Sequence, residues 1–352
     1  MVAHALLFQG KPGALSLPLA LSYAAYLHCE NRGQDACGQC AACALSKKHI
    51  HPDTHFAYPV GNMKTDLKEN DEAVLRSELL KLWRSFLLET PFGSSADWTA
   101  HYGGEDKQPI ISREDGREII RNLSLKPFQS KYKVMIIWQP EMMHSAAANG
   151  LLKILEEPPA NTVFILASER AEQLLPTIIS RTQMVTVPLL TDDEVRSYLI
   201  DLKISKERAS NIASMADGNL NLALRLVDEE DPHYHDAFSD WMRSCFKGEF
   251  GKIVAMADDF HEKDRLYQRS FFHYALSMIR ETLLAVSGAD QLHRTRGNER
   301  EFVQKFKSVF TLKKLEQAYQ LLSDATYFLE RNGSAKMIFT DLSIQFSRVL
   351  KG

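Results

Sequence analysis

The feature that most constrains this chain is a strand–glycine–helix frame at its start. Residues 4–10 (His-Ala-Leu-Leu-Phe-Gln-Gly) are apolar enough for a buried strand and end in glycine. Residues 17–29 then predict a helix, with Pro18 in the first turn, where proline is accepted. A phosphate-binding loop uses this frame in the form G-x-x-x-x-G-K-[ST]. Its amides cradle phosphates, its lysine reaches the outer phosphates and its hydroxyl holds Mg²⁺. Counted from Gly10, the second glycine position is Leu15, the lysine position is Ser16 and the hydroxyl position is Leu17. A charge-assisted contact is worth about 1.5–3 kcal/mol. Losing the ammonium, the metal ligand and a close-approach glycine together leaves little nucleotide affinity. Taken alone, the loop is equally compatible with an ordinary strand-to-helix turn.

A second strand is predicted at residues 133–138 (Lys-Val-Met-Ile-Ile-Trp), a continuous apolar run of the kind buried in parallel sheets. In an ATPase the end of this strand carries an Asp for Mg²⁺ and then a carboxylate that orients water. Here those positions hold Trp138 and Gln139. A helix over 149–155 is stopped by Glu156-Glu157-Pro158-Pro159. A third strand covers 162–167, a helix covers 174–180 and ends at Ser180-Arg181-Thr182, and a strand returns at 184–187. Strands alternating with helices predict an α/β layer with a mainly parallel sheet. Between about 60 and 109 lies an insertion. Leu75, Leu79, Leu82, Trp83 and Phe86 recur there at helical spacing before Pro91. That apolar face needs a surface, either on its own domain or on a partner.

Four of the five cysteines fall in one window, Cys29, Cys37, Cys40 and Cys43, spaced C-x7-C-x2-C-x2-C. Four thiolates suit tetrahedral Zn²⁺, and two-residue spacers let one turn of chain present two sulfurs to one ion. Gly38 relieves the turn between Cys37 and Cys40. With all four positions taken by sulfur, the centre is expected to be structural rather than catalytic. The alternative is four unconnected reduced thiols. His49, His51 and His55 follow closely and are expected as surface or turn residues.

The C-terminal half is helical in pattern. Thr191-Asp192-Asp193-Glu194 is a capping box opening a helix to about 202. A second helix covers about 206–216 and stops at Gly218, and a third starts near Asn219. From about 231 onward the apolar residues repeat helically. Phe272, Leu276, Ile279 and Leu283 form one face, and Phe302, Phe306, Val309 and Phe310 another. A polar segment over 287–300 separates them and is expected as a loop.

A chain of 352 residues with 45% hydrophobic content suffices for two or three packed domains. A net charge of −3 argues against a nucleic-acid binder relying on its own global charge. No apolar run is long enough to span a bilayer, no signal-peptide pattern opens the chain, and the cysteine pattern is not a secreted disulfide framework. The cytoplasm is the expected compartment. A first strand at His4 implies either an abrupt start in the sheet or a missing N-terminal segment.

The first strand, the four-cysteine knuckle, His51-Pro52-Asp53, the run from Asn149 through Leu151-Leu152-Lys153 to Glu156-Glu157-Pro158-Pro159, and Ser180-Arg181 occur in this order. Together they resemble the clamp-loader branch of the AAA+ family, from bacterial DNA polymerase III. The resemblance covers most of residues 4–230 and is looser beyond. It implies a P-loop NTPase-like core over 1–188 carrying the zinc knuckle at 29–43, a helical lid over 189–230, and a helical collar over 231–352 that holds a ring of subunits. It maps the zinc ligands onto Cys29, Cys37, Cys40 and Cys43.

The family's Ser-Arg-Cys signature maps onto Ser180-Arg181-Thr182, with only the cysteine replaced. That arginine completes the ATP site of a neighbouring subunit in trans, with Ser180 beside it. Without the resemblance, Arg181 is equally read as a cation complementing a helix C-terminus. Active members carry an arginine in the lid where this chain has Asn221. Loop, metal strand and lid have thus all lost their nucleotide residues. The implied function is a stator that binds no ATP, hydrolyses none and donates Arg181. Its implied partners are the ATPase subunits and the delta subunit of the loader, with the sliding clamp and primer–template DNA reached through the complex. The alternative is an active ATPase motor of the same fold. A zinc-dependent nucleic-acid module is disfavoured by the acidic balance and by the absence of an aromatic–basic strip beside the cysteines. The bulk of Trp138 and Leu15 is expected to fill the former nucleotide pocket.

Overall fold

The computed structural model describes residues 2–61, 72–104, 109–124, 126–228, 234–263, 265–289, 297–308, 310–330 and 333–351. Positions 231 and 309, and residues 290–296 of the polar segment expected as a loop at 287–300, lie outside the described residues, while 297–300 are helical. The chain divides into two compact units, Met1–Leu189 and Leu190–Gly352.

The first unit is built on five parallel strands, β1 (Ala5–Gly10), β2 (Thr54–Ala57), β3 (Lys133–Trp138), β4 (Thr162–Ser168) and β5 (Gln183–Val187). Their order across the sheet is β2-β3-β4-β1-β5. Its helices are α1 (Ser16–His28), α2 (Ala41–Lys47), α3 (Glu72–Glu89), α4 (Ser95–His101), α5 (Arg113–Ser124), α6 (Ser145–Glu156) and α7 (Pro176–Ile179). The central strands β3 and β4 are buried along their whole length, because helices cover both faces.

Successive side chains of β3 point to opposite faces. Val134, Ile136 and Trp138 join α1 (Leu17, Ala20, Ala24, Leu27) in one core. Met135 and Ile137 join α5 and α6 (Ile119, Leu123, Leu151, Leu155) in the other. The expected insertion helix is α3, and it docks on its own unit. Trp83 and Phe86 are fully buried beside Trp98 of α4, and the Trp83 ring lies 5.2 Å from that of Trp138.

Three local differences from the sequence expectation have simple causes. The helix before the double proline begins at Ser145 rather than 149, because His144 caps it: Nδ1 accepts from the Ala146 amide at 3.2 Å. The helix expected at 174–180 contracts to Pro176–Ile179 behind a short 3-10 turn at Ala171–Gln173. The edge strand β2 was not expected, since four residues of mixed polarity give no clear period.

The second unit comprises α8 (Asp192–Asp201), α9 (Lys206–Ala216), α10 (Leu220–Asp228), α11 (Tyr234–Lys247), α12 (Phe250–Glu262), α13 (Arg265–Ser287), α14 (Gly297–Lys307), α15 (Leu312–Glu330) and α16 (Ala335–Lys351). The capping box at the start of α8 is formed, with the Thr191 hydroxyl and the Glu194 carboxylate each bonded to the other's amide. Trp241 centres the long helices. Its ring stacks on Phe339 at 4.8 Å, and Nε1 donates to Ser343 Oγ at 2.8 Å. Among the described residues no helix is long and apolar enough to cross a membrane.

Candidate functional site

The four predicted cysteines converge. α1 ends at His28 with Cys29 as its C-cap, and α2 starts with Cys40 as its N-cap and holds Cys43. Gly38 makes the intervening turn at φ +72°, which favours glycine. All four sulfurs lie within 4.8 Å of one another. Sulfurs around a tetrahedral ion at the Zn–S distance of about 2.3 Å would lie about 3.8 Å apart, so the cluster needs only a small contraction.

Backbone amides point at the sulfurs: Cys37 N–H to Cys29 Sγ at 3.2 Å, Cys40 N–H to Cys37 Sγ at 3.4 Å, and Cys43 N–H to Cys40 Sγ at 3.4 Å. Such donors stabilise thiolates. The amides of Gln39 and Cys40 hold the Cys37 thiol down to about 6, while burial pushes Cys43 up to about 12. Four adjacent thiolates therefore need a cation to be ionised together, and the all-sulfur donor set fits Zn²⁺. No open ligand position remains for chemistry.

The loop after β1 packs closely around Gly10. A Cβ there would lie 2.5 Å from Ala14 Cβ, 2.7 Å from Ser16 Oγ and 3.0 Å from the Val187 carbonyl. Ser16 and Leu17 are buried, and Leu15 is half-buried at the N-cap of α1, with no side-chain cap bond. Trp138 is 3% exposed and faces Trp83 and Phe86. Gln139 takes a left-handed turn (φ 51°) and donates its amide to the Ala167 carbonyl at 2.8 Å. Ser16 Oγ and Gln139 Oε1 are both buried without a hydrogen-bond partner. Asn221 stands half-buried in the first turn of α10, which Asn219 caps through the Leu222 amide at 3.0 Å.

Arg181 follows α7, whose C-cap is Ser180. Its guanidinium is ordered by two acceptors: Nη1 donates to the Thr177 carbonyl at 3.1 Å and Nη2 to Glu156 Oε2 at 3.0 Å. The side chain is 31% exposed. The contact to Thr177 completes a helix end, as the simpler reading of this arginine requires. It uses only part of the five-donor fork, so an outward role is compatible with it.

One functional-looking constellation was missed. Asp53 is buried, and its carboxylate accepts the amides of Phe128, Gln129 and Ser130 at 2.5, 2.8 and 2.7 Å. Burial alone would raise its pKa, but these three donors and the neighbouring His51 outweigh it, and the carboxyl lies below its usual range. His51 was expected as a surface or turn residue; it opens the turn before β2, its carbonyl accepting from the Thr54 amide at 3.0 Å, but it is not at the surface. It is 2% exposed and stacks on His28 with ring centroids 3.9 Å apart. The signal was the triplet His51-Pro52-Asp53, but its partners lie 75–77 residues away.

Comparison with known proteins follows this geometry. A family model described as DNA polymerase III, delta subunit matches residues 1–191. DNA polymerase III subunit delta' of Bacillus subtilis is 27% identical over 216 residues, covering 61% of this chain and 51% of that protein. The subunit of the same name from Pseudomonas aeruginosa is 31% identical over 188 residues, covering 53% and 44%. DNA polymerase III subunit gamma/tau of Mycobacterium tuberculosis is 39% identical over 100 residues, covering 28% and 16%. The match thus spans about half the length, or less, of these curated relatives. With a five-stranded parallel sheet, a helical second unit and a family match across more than half its length, the chain belongs to the DNA polymerase III delta-subunit family, as a delta-prime-like clamp-loader subunit.

Proposed function

We propose that this chain is a non-hydrolysing stator of the DNA polymerase III clamp loader that donates Arg181 to the ATP site of a neighbouring subunit. The observation that carries the reading is a contrast within one unit. The nucleotide positions Ser16, Leu17 and Trp138 are buried in packing, while the Arg181 guanidinium is ordered yet reaches solvent. An arginine supplied in trans stabilises charge on the transferring phosphoryl group, and its geometry must be fixed before the neighbour arrives.

In this reading Cys29, Cys37, Cys40 and Cys43 hold structural zinc. Bound there, zinc would be held by Cys29 at the end of α1, by Cys37, and by Cys40 and Cys43 at the start of α2, tying the 29–43 loop to α1. Residues 189–230 act as lid and 231–352 as collar. The collar joins the ATPase subunits and the delta subunit into a ring, through which the chain acts on the sliding clamp and primer–template DNA in the cytoplasm. A second reading, an ATP-hydrolysing motor, draws on the 39% identity to a gamma/tau subunit.

The test is ATP turnover in a reconstituted loader with wild-type chain or Arg181→Ala, with assembly followed in parallel. Turnover lost at one neighbouring site with assembly intact supports the stator. Unchanged turnover refutes the finger, and turnover by the isolated chain supports the motor.

A further inference from the structure

Phe128 is 86% exposed, the most exposed large apolar side chain among the described residues. It sits at the tip of the turn at 126–131, between α5 and β3. An exposed aromatic on a floppy loop would mean little. This turn is held rigidly instead. The amides of Phe128 itself and of the next two residues are fastened to the buried Asp53 carboxylate. Ser130 Oγ is 2.9 Å from His28 Nδ1, and His28 Nε2 is 2.9 Å from Thr54 Oγ1. The fold therefore sinks a carboxylate and a histidine to hold one phenyl ring out in water. A ring fixed in advance loses little entropy when a partner covers it, which is the property of an interface anchor.

The charge around the ring selects the partner. Lys126 and Lys131 are exposed on either side of it, and the segment 126–133 contains no acidic residue. We propose that this turn is a protein-docking element, with Phe128 inserting into an apolar pocket whose rim carries carboxylates that meet Lys126 and Lys131. Single-stranded nucleic acid fits the turn less well. Stacking platforms for bases present successive aromatic rings along a basic groove. Here there is one outward ring, with Pro127 beside it. The other nearby ring, Tyr132, lies under the Lys131 ammonium at 5.4 Å.

The choice of probes rests on the clamp-loader reading. The full-length chain, Phe128→Ala and the double variant Lys126→Glu/Lys131→Glu are each titrated against three probes: the organism's purified sliding clamp, its assembled loader ATPase subunits, and a single-stranded oligonucleotide. Loss of a solvent-exposed ring leaves the fold intact, so the thermal melt of Phe128→Ala should match wild type. The expected result is an affinity about thirtyfold weaker for one of the two protein probes with Phe128→Ala. The charge reversal should weaken the same interaction and flatten its salt dependence. Equal affinity of wild type and Phe128→Ala for both protein probes overturns the proposal, as does a loss confined to the oligonucleotide. A wild-type chain that binds neither protein probe overturns the clamp-loader reading and this proposal together.

Discussion

Arg181 and Glu156 are joined across two helix ends, with Nη2 3.0 Å from Oε2, although 25 residues separate them in sequence. Glu156 closes α6 just before the double proline, and Arg181 follows α7. The pair is surface-exposed, so its contribution to stability is about 0.2–1 kcal/mol. What it supplies is direction: with Thr177 it leaves the guanidinium a narrow range of orientations.

Glu156→Ala should therefore lower finger-dependent ATP turnover in the assembled loader by about tenfold, less than Arg181→Ala, whose effect at the served site should approach about a thousandfold. Glu156→Gln keeps an acceptor and should recover most of the loss. Steady-state turnover with matched melting curves checks this. If Glu156→Ala were as active as wild type, the pair would have no positioning role.

The cysteine centre should carry about one equivalent of zinc per chain. Structural zinc in comparable small sites is worth about 10–16 kcal/mol of apparent binding free energy at pH 7. A strong chelator should accordingly lower the melting temperature of the first unit by several degrees or more, and Cys43→Ser should do the same without chelator. Metal analysis by mass spectrometry, paired with calorimetry, reads both. A chain that purifies metal-free with an unchanged melt would exclude the site.

Acid should loosen the turn at 126–131 through Asp53. Its carboxyl lies below 3.8 in the folded chain, so on acidification the unfolded chain takes up the proton first. The stabilisation is fully present above pH 3.8 and is lost as pH falls through the lower folded value. Asp53→Asn should remove this component at every pH, so the stability gap between variant and wild type should be widest near neutrality and close in acid. Urea unfolding from pH 7 downward measures it. A gap that widened in acid would contradict the assignment.

Mg²⁺–ATP should not bind measurably to the isolated chain by calorimetry. Putting back Ser16→Lys and Leu17→Thr should not restore binding. Position 16 is 5% exposed and its hydroxyl is buried without a hydrogen-bond partner, so a lysine there would place its ammonium in a buried space that offers, among the described residues, no acid to pair with it. The double variant should be less stable instead. Micromolar ATP affinity in either protein would refute a closed loop.

Trp83→Ala should cost the first unit about 3–5 kcal/mol. The ring is fully buried and contacts Tyr58, Phe86, Trp98 and Trp138 at centroid distances of 4.3, 5.5, 5.0 and 5.2 Å. Denaturant unfolding followed by tryptophan fluorescence reports it directly. A cost near zero would mean that the insertion helix merely lies on the surface.

Legibility in the sequence followed the range of the interactions. The strands β3 and β4 were readable because an unbroken apolar run has one physical use at that length. The capping box at Thr191 and the stop at Pro158-Pro159 were readable because both act within a few residues. The cysteine centre was readable from spacing alone. The Asp53 clamp was not, since a carboxylate gives no hint in sequence that its donors are amides 75–77 residues on. The partner of Arg181 was hidden for the same reason. Burial of His51 depends on His28 arriving beneath it, which only the closed sheet decides.

Trp138 has a consequence that reaches beyond the present fold. The side chain that ends β3 is a wall of the aromatic core that seats the insertion, against Trp83 and Phe86. An aspartate there would drive a carboxylate into a dry, ring-lined space, at a cost of several kcal/mol. The surrounding rings would have to be rebuilt first. The aromatic core thus works as a lock on the end of β3: a charge could enter there only if several rings changed with it, so no single substitution opens the space.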